Sequence, residues 1–123
     1  MSKIIIYTYA NCDSCRRAVK WLRAQGLDFT EKPIRETPPS AAELKAMLAA
    51  QDGELRKLFN TSGLDYRAQG LGAKLPMMTE AAALTLLAGN GNLVKRPFLW
   101  RPTDQVGLVG FDEGRWSAAL SPI

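Results

Sequence analysis

The sequence contains no histidine and only two cysteines, so few side chains are available to hold a metal ion. Structural zinc sites are built almost entirely from cysteine and histidine ligands. Cys12 and Cys15 could supply only part of such a set, and no other residue of either type exists to complete it. We therefore predict that the chain has no metal site.

The chain also lacks a long hydrophobic run, whereas a helix needs about 20 apolar residues to cross a bilayer. Its start, Met1-Ser2-Lys3-Ile4, does not lead into the extended apolar core of a signal peptide. We therefore expect no membrane association and a cytoplasmic location. Cysteines in that reducing compartment normally remain free thiols.

Positively charged residues are in modest excess over negatively charged ones. The 16 lysines and arginines outnumber the 12 acidic residues, which gives a net charge of +4 and a pI near 9.3. This balance permits acidic partners such as oxyanions, nucleic acid or an acidic protein surface. However, the sequence has no dense basic run with interleaved aromatic residues, so direct binding to nucleic acid is not favoured.

The most informative stretch runs from Lys3 to Leu22. A run of β-forming residues is followed by a polar turn, then by Cys12 and Cys15 in Cys-x-x-Cys spacing. The apolar pattern then changes to a helical period. Cys12 is thus predicted to lie where a strand ends and a helix begins, and the unpaired N–H groups there favour an anionic thiolate. Arg16 and Arg17 add positive charge in the same turn.

The cysteine pair has other interpretations. Free cysteines are often inert core residues, and a structural disulfide here would close only a very small loop. Cys-x-x-Cys at a strand-to-helix junction in a cytosolic chain is nevertheless typical of redox-active thiols. Cys15 falls on the apolar stripe of the helix, so it suits either a resolving thiol or simple core packing.

The order of predicted elements indicates the fold. A β-α-β unit is followed by several helices and then by a β-β-α unit, which predicts an α/β thioredoxin-like fold with a mixed four-stranded sheet. We interpret residues 1–123 as one domain and residues 40–88 as a helical insertion within it. The predicted elements are strands over Lys3–Thr8, Phe29–Ile34, Phe98–Trp100 and Val106–Val109, helices over Asp13–Gln25, from the capping box Ser40–Glu43, from Thr79 and from Asp112 to Pro122, and a type I turn in Pro102–Gln105 with proline at its second position.

Several segments together resemble the small arsenate-reductase-like proteins, a group that includes the Spx-type transcription regulators. The likeness extends over nearly the whole chain. Its most specific elements are the Asn-Cys turn and the Arg-Pro dipeptide. The matching segments are Tyr9–Arg16, Pro38–Ser40, Leu58–Arg67, Val94–Phe98 and Val109–Asp112.

The resemblance implies a role for each matching residue. Cys12 corresponds to the nucleophile that attacks arsenate, and Asn11 precedes it in the substrate-binding turn. Arg67 and Arg96 correspond to arginines that hold the oxyanion, a task for which the planar, permanently charged guanidinium is well suited. The alternative for either arginine is an ordinary solvated surface residue. Pro97 corresponds to the cis-proline that borders the active site of thioredoxin folds.

The chain departs from the arsenate reductases in two places. A third arginine is expected on the last strand, where residues 107–110 read Gly-Leu-Val-Gly, and this argues against arsenate as the substrate. Cys15 is unusual for the glutaredoxin-dependent reductases but common in Spx-type proteins, where the pair is a redox switch.

Two functions are therefore predicted. As an enzyme, the protein would use the Cys12 thiolate to attack a disulfide or a small oxyanion, and Cys15 to resolve the intermediate. It would need no bound cofactor, and a thiol reductant such as glutathione, a glutaredoxin or a thioredoxin would restore both thiols. As a sensor of the Spx type, it would dock on the α-subunit of RNA polymerase when the pair is oxidised.

Overall fold

The computed structural model describes residues 3–120. It contains one mixed four-stranded sheet in the order β2-β1-β3-β4, in which β1 pairs parallel to β2 and antiparallel to β3. This confirms the predicted fold class. The strands are β1 Ile4–Thr8, β2 Phe29–Pro33, β3 Phe98–Arg101 and β4 Val106–Val109; the α-helices are α1 Asp13–Ala24, α2 Ala41–Ala50, α3 Leu64–Ala68, α4 Leu71–Lys74, α5 Glu80–Gly89 and α6 Glu113–Leu120; 3-10 helices cover Leu55–Leu58, Leu75–Met77 and Gly91–Leu93.

The βαβ unit at the start of the chain has the helix that its apolar pattern predicts. The four residues of the apolar stripe of α1 are all buried; they are Cys15, Ala18, Val19 and Leu22. Gly26, at φ 71°, follows the helix in the left-handed conformation that glycine adopts easily. The predicted capping box of α2 is also present, because Ser40 and Glu43 exchange side-chain-to-backbone hydrogen bonds.

The sheet separates two hydrophobic cores. Alternate strand residues face opposite sides, so the neighbours Ile6 and Leu99 pack against α1 and α6, whereas Tyr7 and Phe98 pack against the helices between β2 and β3. Both faces of the sheet are therefore covered. The interpretation of residues 40–88 as an insertion in a single domain stays a prediction.

The turn between β3 and β4 differs from its prediction in one detail. Gln105 N–H bonds to the carbonyl oxygen of Pro102 at 3.4 Å, so proline occupies the first position of the turn and not the second. Gln105 then takes φ 57°, so the last residue of the turn is in the left-handed region. Asp112 caps α6 through its bond from Arg115 N–H, and Pro122 lies outside the described residues.

Side chains from α2 and α6 hydrogen-bond to the backbone along the free edge of β4. Gln51 of α2 donates to the carbonyl oxygen of Gly107 at 3.0 Å. Arg115 of α6 donates to the carbonyl oxygen of Val109, also at 3.0 Å. The backbone acceptors of this edge strand are therefore satisfied within the chain. Within residues 3–120, no helix is both long and apolar enough to cross a membrane.

Candidate active site

Cys12 lies at the junction between β1 and α1, as predicted. It is the N-cap residue of α1, and its sulfur accepts a hydrogen bond from the backbone N–H of Cys15 at 3.1 Å. The Ser14 hydroxyl lies 3.3 Å from the same sulfur. Cys12 is partly exposed. A substrate can therefore reach this sulfur, which lies at the N-terminus of α1.

Cys15 lies one helical turn further on and is only 1% exposed. Burial, together with the hydrogen bond and charge of Cys12, raises the pKa of its thiol to about 12, against lowering contributions from the Tyr9 backbone and Arg96. Both cysteines are free thiols. Cys15 is thus held as a protonated thiol beside the exposed sulfur.

A basic cleft borders the buried cysteine. This cavity of about 300 Å³ is lined by Cys15 together with Arg16, Lys20 and Arg23. Among the described residues, the only acidic one in its wall is Glu31, which accepts a hydrogen bond from the Thr8 hydroxyl. The surroundings of the pair are therefore positively charged on the α1 side as well as at the helix N-terminus.

Arg96 and Pro97 reach the site from the loop before β3. The Arg96–Pro97 peptide bond is cis, as the resemblance implied. Arg96 donates to the carbonyl oxygen of Asn92 at 3.3 Å and contributes a charge that acts on the Cys15 thiol. Pro97 is buried, and its carbonyl oxygen accepts a bond from Gly110 at 2.9 Å.

The structure does not bring the other two predicted residues into contact with the pair. Asn11 is exposed in the turn before Cys12. Arg67 is exposed on α3 and donates to the Ser62 carbonyl oxygen at 3.1 Å. Within residues 3–120, no hydrogen bond or ion pair joins Arg67 to either cysteine.

Two residues near the site were missed by the sequence analysis. Tyr9 follows β1, and Arg35 comes shortly after β2; Arg35 donates to the Tyr9 hydroxyl at 3.0 Å. A signal for them existed, because the carboxyl ends of neighbouring parallel strands meet at one edge of a sheet, where ligands commonly bind. Both residues lie at that edge, beside the turn that leads to Cys12.

No metal centre accompanies these groups among the described residues, since no cluster of three potential ligands occurs there. What the arrangement can do is thiol chemistry. It combines the accessible sulfur of Cys12, the buried thiol of Cys15 and the guanidinium group of Arg96, whose charge acts on Cys15.

Comparison with known proteins agrees with this description. The model of the ArsC family matches residues 7–119. The protein YusI of Bacillus subtilis, described as uncharacterized, is 43% identical over 113 residues, which cover 92% of this chain and 94% of that protein. The global transcriptional regulator Spx of Enterococcus faecalis is 31% identical over 111 residues, which cover 89% of this chain and 80% of the regulator.

Solved structures of similar proteins share the fold. An ArsC-family-related protein from Bacteroides fragilis superposes with a TM-score of 0.87 at 37% identity, covering 94% of this chain and 96% of its own. A protein from Streptococcus mutans described as a possible arsenate reductase gives a TM-score of 0.82 at 36% identity, with 90% and 92% coverage.

Proposed function

The chain belongs to the ArsC family, and from this premise we propose that it is a thiol redox protein in which Cys12 is the nucleophile and Cys15 the resolving thiol. One observation supports this most directly. The accessible Cys12 sulfur caps α1 by accepting the N–H of Cys15, whose own thiol is buried and protonated in the same turn.

The proposed reaction has two steps. The Cys12 thiolate attacks one sulfur of a disulfide substrate, which forms a mixed disulfide and releases the other sulfur as a thiolate. Cys15 then gives up its proton and attacks the Cys12 sulfur, which forms the Cys12–Cys15 disulfide and releases the second substrate thiol. The substrate gains two electrons and two protons, and the cysteine pair is oxidised.

The raised pKa of Cys15 suits this order of events. While Cys12 is anionic, its hydrogen bond and charge both favour the protonated form of Cys15. A mixed disulfide at Cys12 has no charge, so both effects would disappear when the first step is complete. Cys15 would thus become easier to ionise when it is needed.

The remaining residues have supporting roles in this proposal. Arg96 stabilises negative charge on the reacting sulfurs, and Pro97 shapes the wall beside them. Asn11 lies next to Cys12 in the exposed turn and would contact the substrate. Arg67 would do so only for a substrate that extends to α3. The absence of an arginine from β4 favours a disulfide over arsenate as the substrate.

Regeneration requires an external reductant. Two thiols of glutathione, or the dithiol of a glutaredoxin or thioredoxin, would reduce the Cys12–Cys15 disulfide by the same exchange in reverse. The protein would then need no bound cofactor.

The test is turnover of a model disulfide with glutathione as the reductant. Cys12→Ser is expected to reduce turnover to the background rate, and Cys15→Ser to leave a mixed disulfide at Cys12 that mass spectrometry detects. Thr103→Ala, in the exposed turn between β3 and β4, is the control and should keep most of the activity. Turnover that survives Cys12→Ser would refute the proposal.

The likeness to Spx favours one second candidate, a redox-sensing regulator that binds the α-subunit of RNA polymerase. It uses the same cysteine pair but predicts no turnover. An affinity column carrying the oxidised protein would retain polymerase, and one carrying the reduced protein would not. Equal retention in both states, or none in either, would exclude the sensor.

A further inference from the structure

Two arginines converge on one tyrosine ring beside the cysteine pair. The guanidinium carbon of Arg35 lies 5.1 Å from the centroid of the Tyr9 ring, and that of Arg96 lies 5.2 Å from it. Arg35 also donates to the Tyr9 hydroxyl at 3.0 Å. These residues come from three separate segments of the chain, so their meeting is a product of the fold.

Close backbone packing brings these segments together. Ile34 N–H bonds to the carbonyl oxygen of Thr8 at 2.9 Å, which places Arg35 beside Tyr9. Gly91, at the start of the loop that carries Arg96, packs against the same backbone. A Cβ atom at Gly91 would fall on the Ile34 carbonyl oxygen and lie only 3.0 Å from the Arg35 Cα. Only glycine allows the two loops to approach this closely.

No carboxylate in the described part of the chain forms an ion pair with either arginine. The ion pairs within residues 3–120 are Arg17–Asp13, Lys57–Glu54 and Arg101–Asp104. Neither Arg35 nor Arg96 therefore has a carboxylate partner there. The Tyr9 ring attracts each guanidinium only weakly, while the two like charges repel one another. An anion beside the Tyr9 ring would be attracted by both charges.

Tyr9, the residue that both arginines contact, is hydrogen-bonded to the backbone of Cys12. The Tyr9 carbonyl oxygen accepts the N–H of Cys12 at 3.2 Å, and Tyr9 lines the same cleft as Cys15. An anionic group held at Arg35 and Arg96 would thus lie close to a sulfur that Cys12 attacks.

We propose that Arg35 and Arg96, held over Tyr9, form an anion subsite that binds a carboxylate of the small thiol or disulfide substrate. Arginine is suited to this because its planar fork can bind a carboxylate through two hydrogen bonds. Arg35 thereby supplies, from the loop after β2, positive charge that β4 lacks. This inference rests on the proposed thiol chemistry of Cys12 and specifies the charge of its substrate.

The experiment compares disulfides of different charge. The fully reduced protein is mixed with dithiobis(nitrobenzoate), which carries two carboxylates, with neutral dipyridyl disulfide, and with cationic cystamine. The rate constant of the first thiol exchange is measured for the wild type, Arg35→Gln and Tyr9→Phe. Arg56→Gln is the matched control, since it removes an exposed arginine elsewhere on the surface.

In Arg35→Gln, the rate constant for exchange with the dianionic disulfide is expected to fall about tenfold. The rate constant for the neutral disulfide should not change, and that for cystamine should not fall. Tyr9→Phe keeps the ring but removes the acceptor of Arg35, so it should give a smaller loss with the same selectivity. Arg56→Gln should change all three rates little. Circular dichroism checks that each variant is folded.

Two results would overturn the inference while leaving the proposed function intact. One is an equal loss with all three reagents in Arg35→Gln, which would mean that Arg35 acts on the thiol or the fold. The other is an unchanged ratio of anionic to neutral rates. If Cys12 of the wild type reacts with no disulfide at all, the proposed function itself fails.

Discussion

Cys12 and Cys15 are three residues apart but lie in different surroundings. Cys12 is partly exposed and receives a backbone N–H, whereas Cys15 is buried in the apolar face of α1. A thiolate is the reactive form of cysteine, so the two positions differ in reactivity although they share a helix. This difference is what a nucleophile and a resolving thiol require.

The first prediction concerns Cys15 alone. In Cys12→Ser, alkylation of Cys15 by iodoacetamide near neutral pH should be at least about tenfold slower than in the unfolded chain, since burial lowers its thiolate fraction. The rate should keep rising with pH beyond the ordinary thiol value of 9.0, because the folded pKa lies above it. Labelling followed by mass spectrometry measures this, with the urea-unfolded variant as the reference.

A plateau near pH 9.0 would contradict this prediction. It would mean that Cys15 is solvated like a free thiol, and the assignment of separate roles to the two cysteines would then be lost.

Single residues also show where sequence analysis was sufficient and where it was not. The position of Cys12 followed from local signals, namely a β-forming run, a turn and a helical stripe. The convergence of Arg35 and Arg96 on Tyr9 depends on contacts between residues far apart in the chain. Periodicity does not report such contacts, so the contact of both arginines with one ring appeared only in the structure.

At the level of elements, the β3–β4 hairpin is held together by a buried arginine. Arg101 is only 7% exposed and binds the Asp104 carboxylate through two hydrogen bonds of 2.8 and 2.7 Å. These bonds hold the pKa of Asp104 below its usual 3.8. The ion pair therefore joins the last residue of β3 to the turn that leads into β4.

Asp104→Asn tests this ion pair. The substitution should lower the free energy of unfolding by about 1–2 kcal/mol at neutral pH, because the buried Arg101 loses its charged partner. Since the folded pKa is lowered, the wild-type advantage is present above pH 3.8 and is lost as the pH falls through the folded value. Urea denaturation at several pH values measures it.

Asp112→Asn serves as the control, since it changes an exposed carboxylate that caps α6 without an ion pair. A difference between wild type and Asp104→Asn that stayed constant below pH 3.8 would show that the Asp104 charge is not the cause.

The elements themselves were largely predictable. β1 and α1 begin within one residue of their predicted positions, and the capping box of α2 is present. These features depend on neighbouring residues. The sequence from Leu64 to Gly72 is ambiguous and allows a helical turn that ends near Gly70 or Gly72; the stretch forms two short helices, α3 and the start of α4. Helices this short owe their stability to tertiary packing.

At the scale of the whole molecule, Trp116 connects the core beneath α1 and α6 to the loop before β3. It is fully buried beneath the sheet and contacts the rings of Trp21 and Phe111 edge-on. Its indole N–H donates to the carbonyl oxygen of Gly110 at 2.9 Å, and Gly110 in turn bonds to Pro97. The packing of α6 thus supports the loop that carries the cis Arg96–Pro97 bond.

Trp116→Phe is therefore expected to reduce the free energy of unfolding by about 1–3 kcal/mol, through lost volume and an unpaired Gly110 carbonyl. Chemical denaturation followed by circular dichroism measures the change. Trp21→Phe, at a half-buried position, should cost less. Equal losses would show that the Gly110 bond contributes nothing.

The covered edge of β4 has a consequence for how the protein behaves among other chains. A strand from a neighbouring molecule could extend the sheet only by displacing both Gln51 and Arg115 from the carbonyl oxygens they occupy. At the opposite edge of the sheet, β2 ends at Pro33, which has no backbone N–H to donate to another strand. Both edges thus carry features that disfavour pairing with a strand of another molecule.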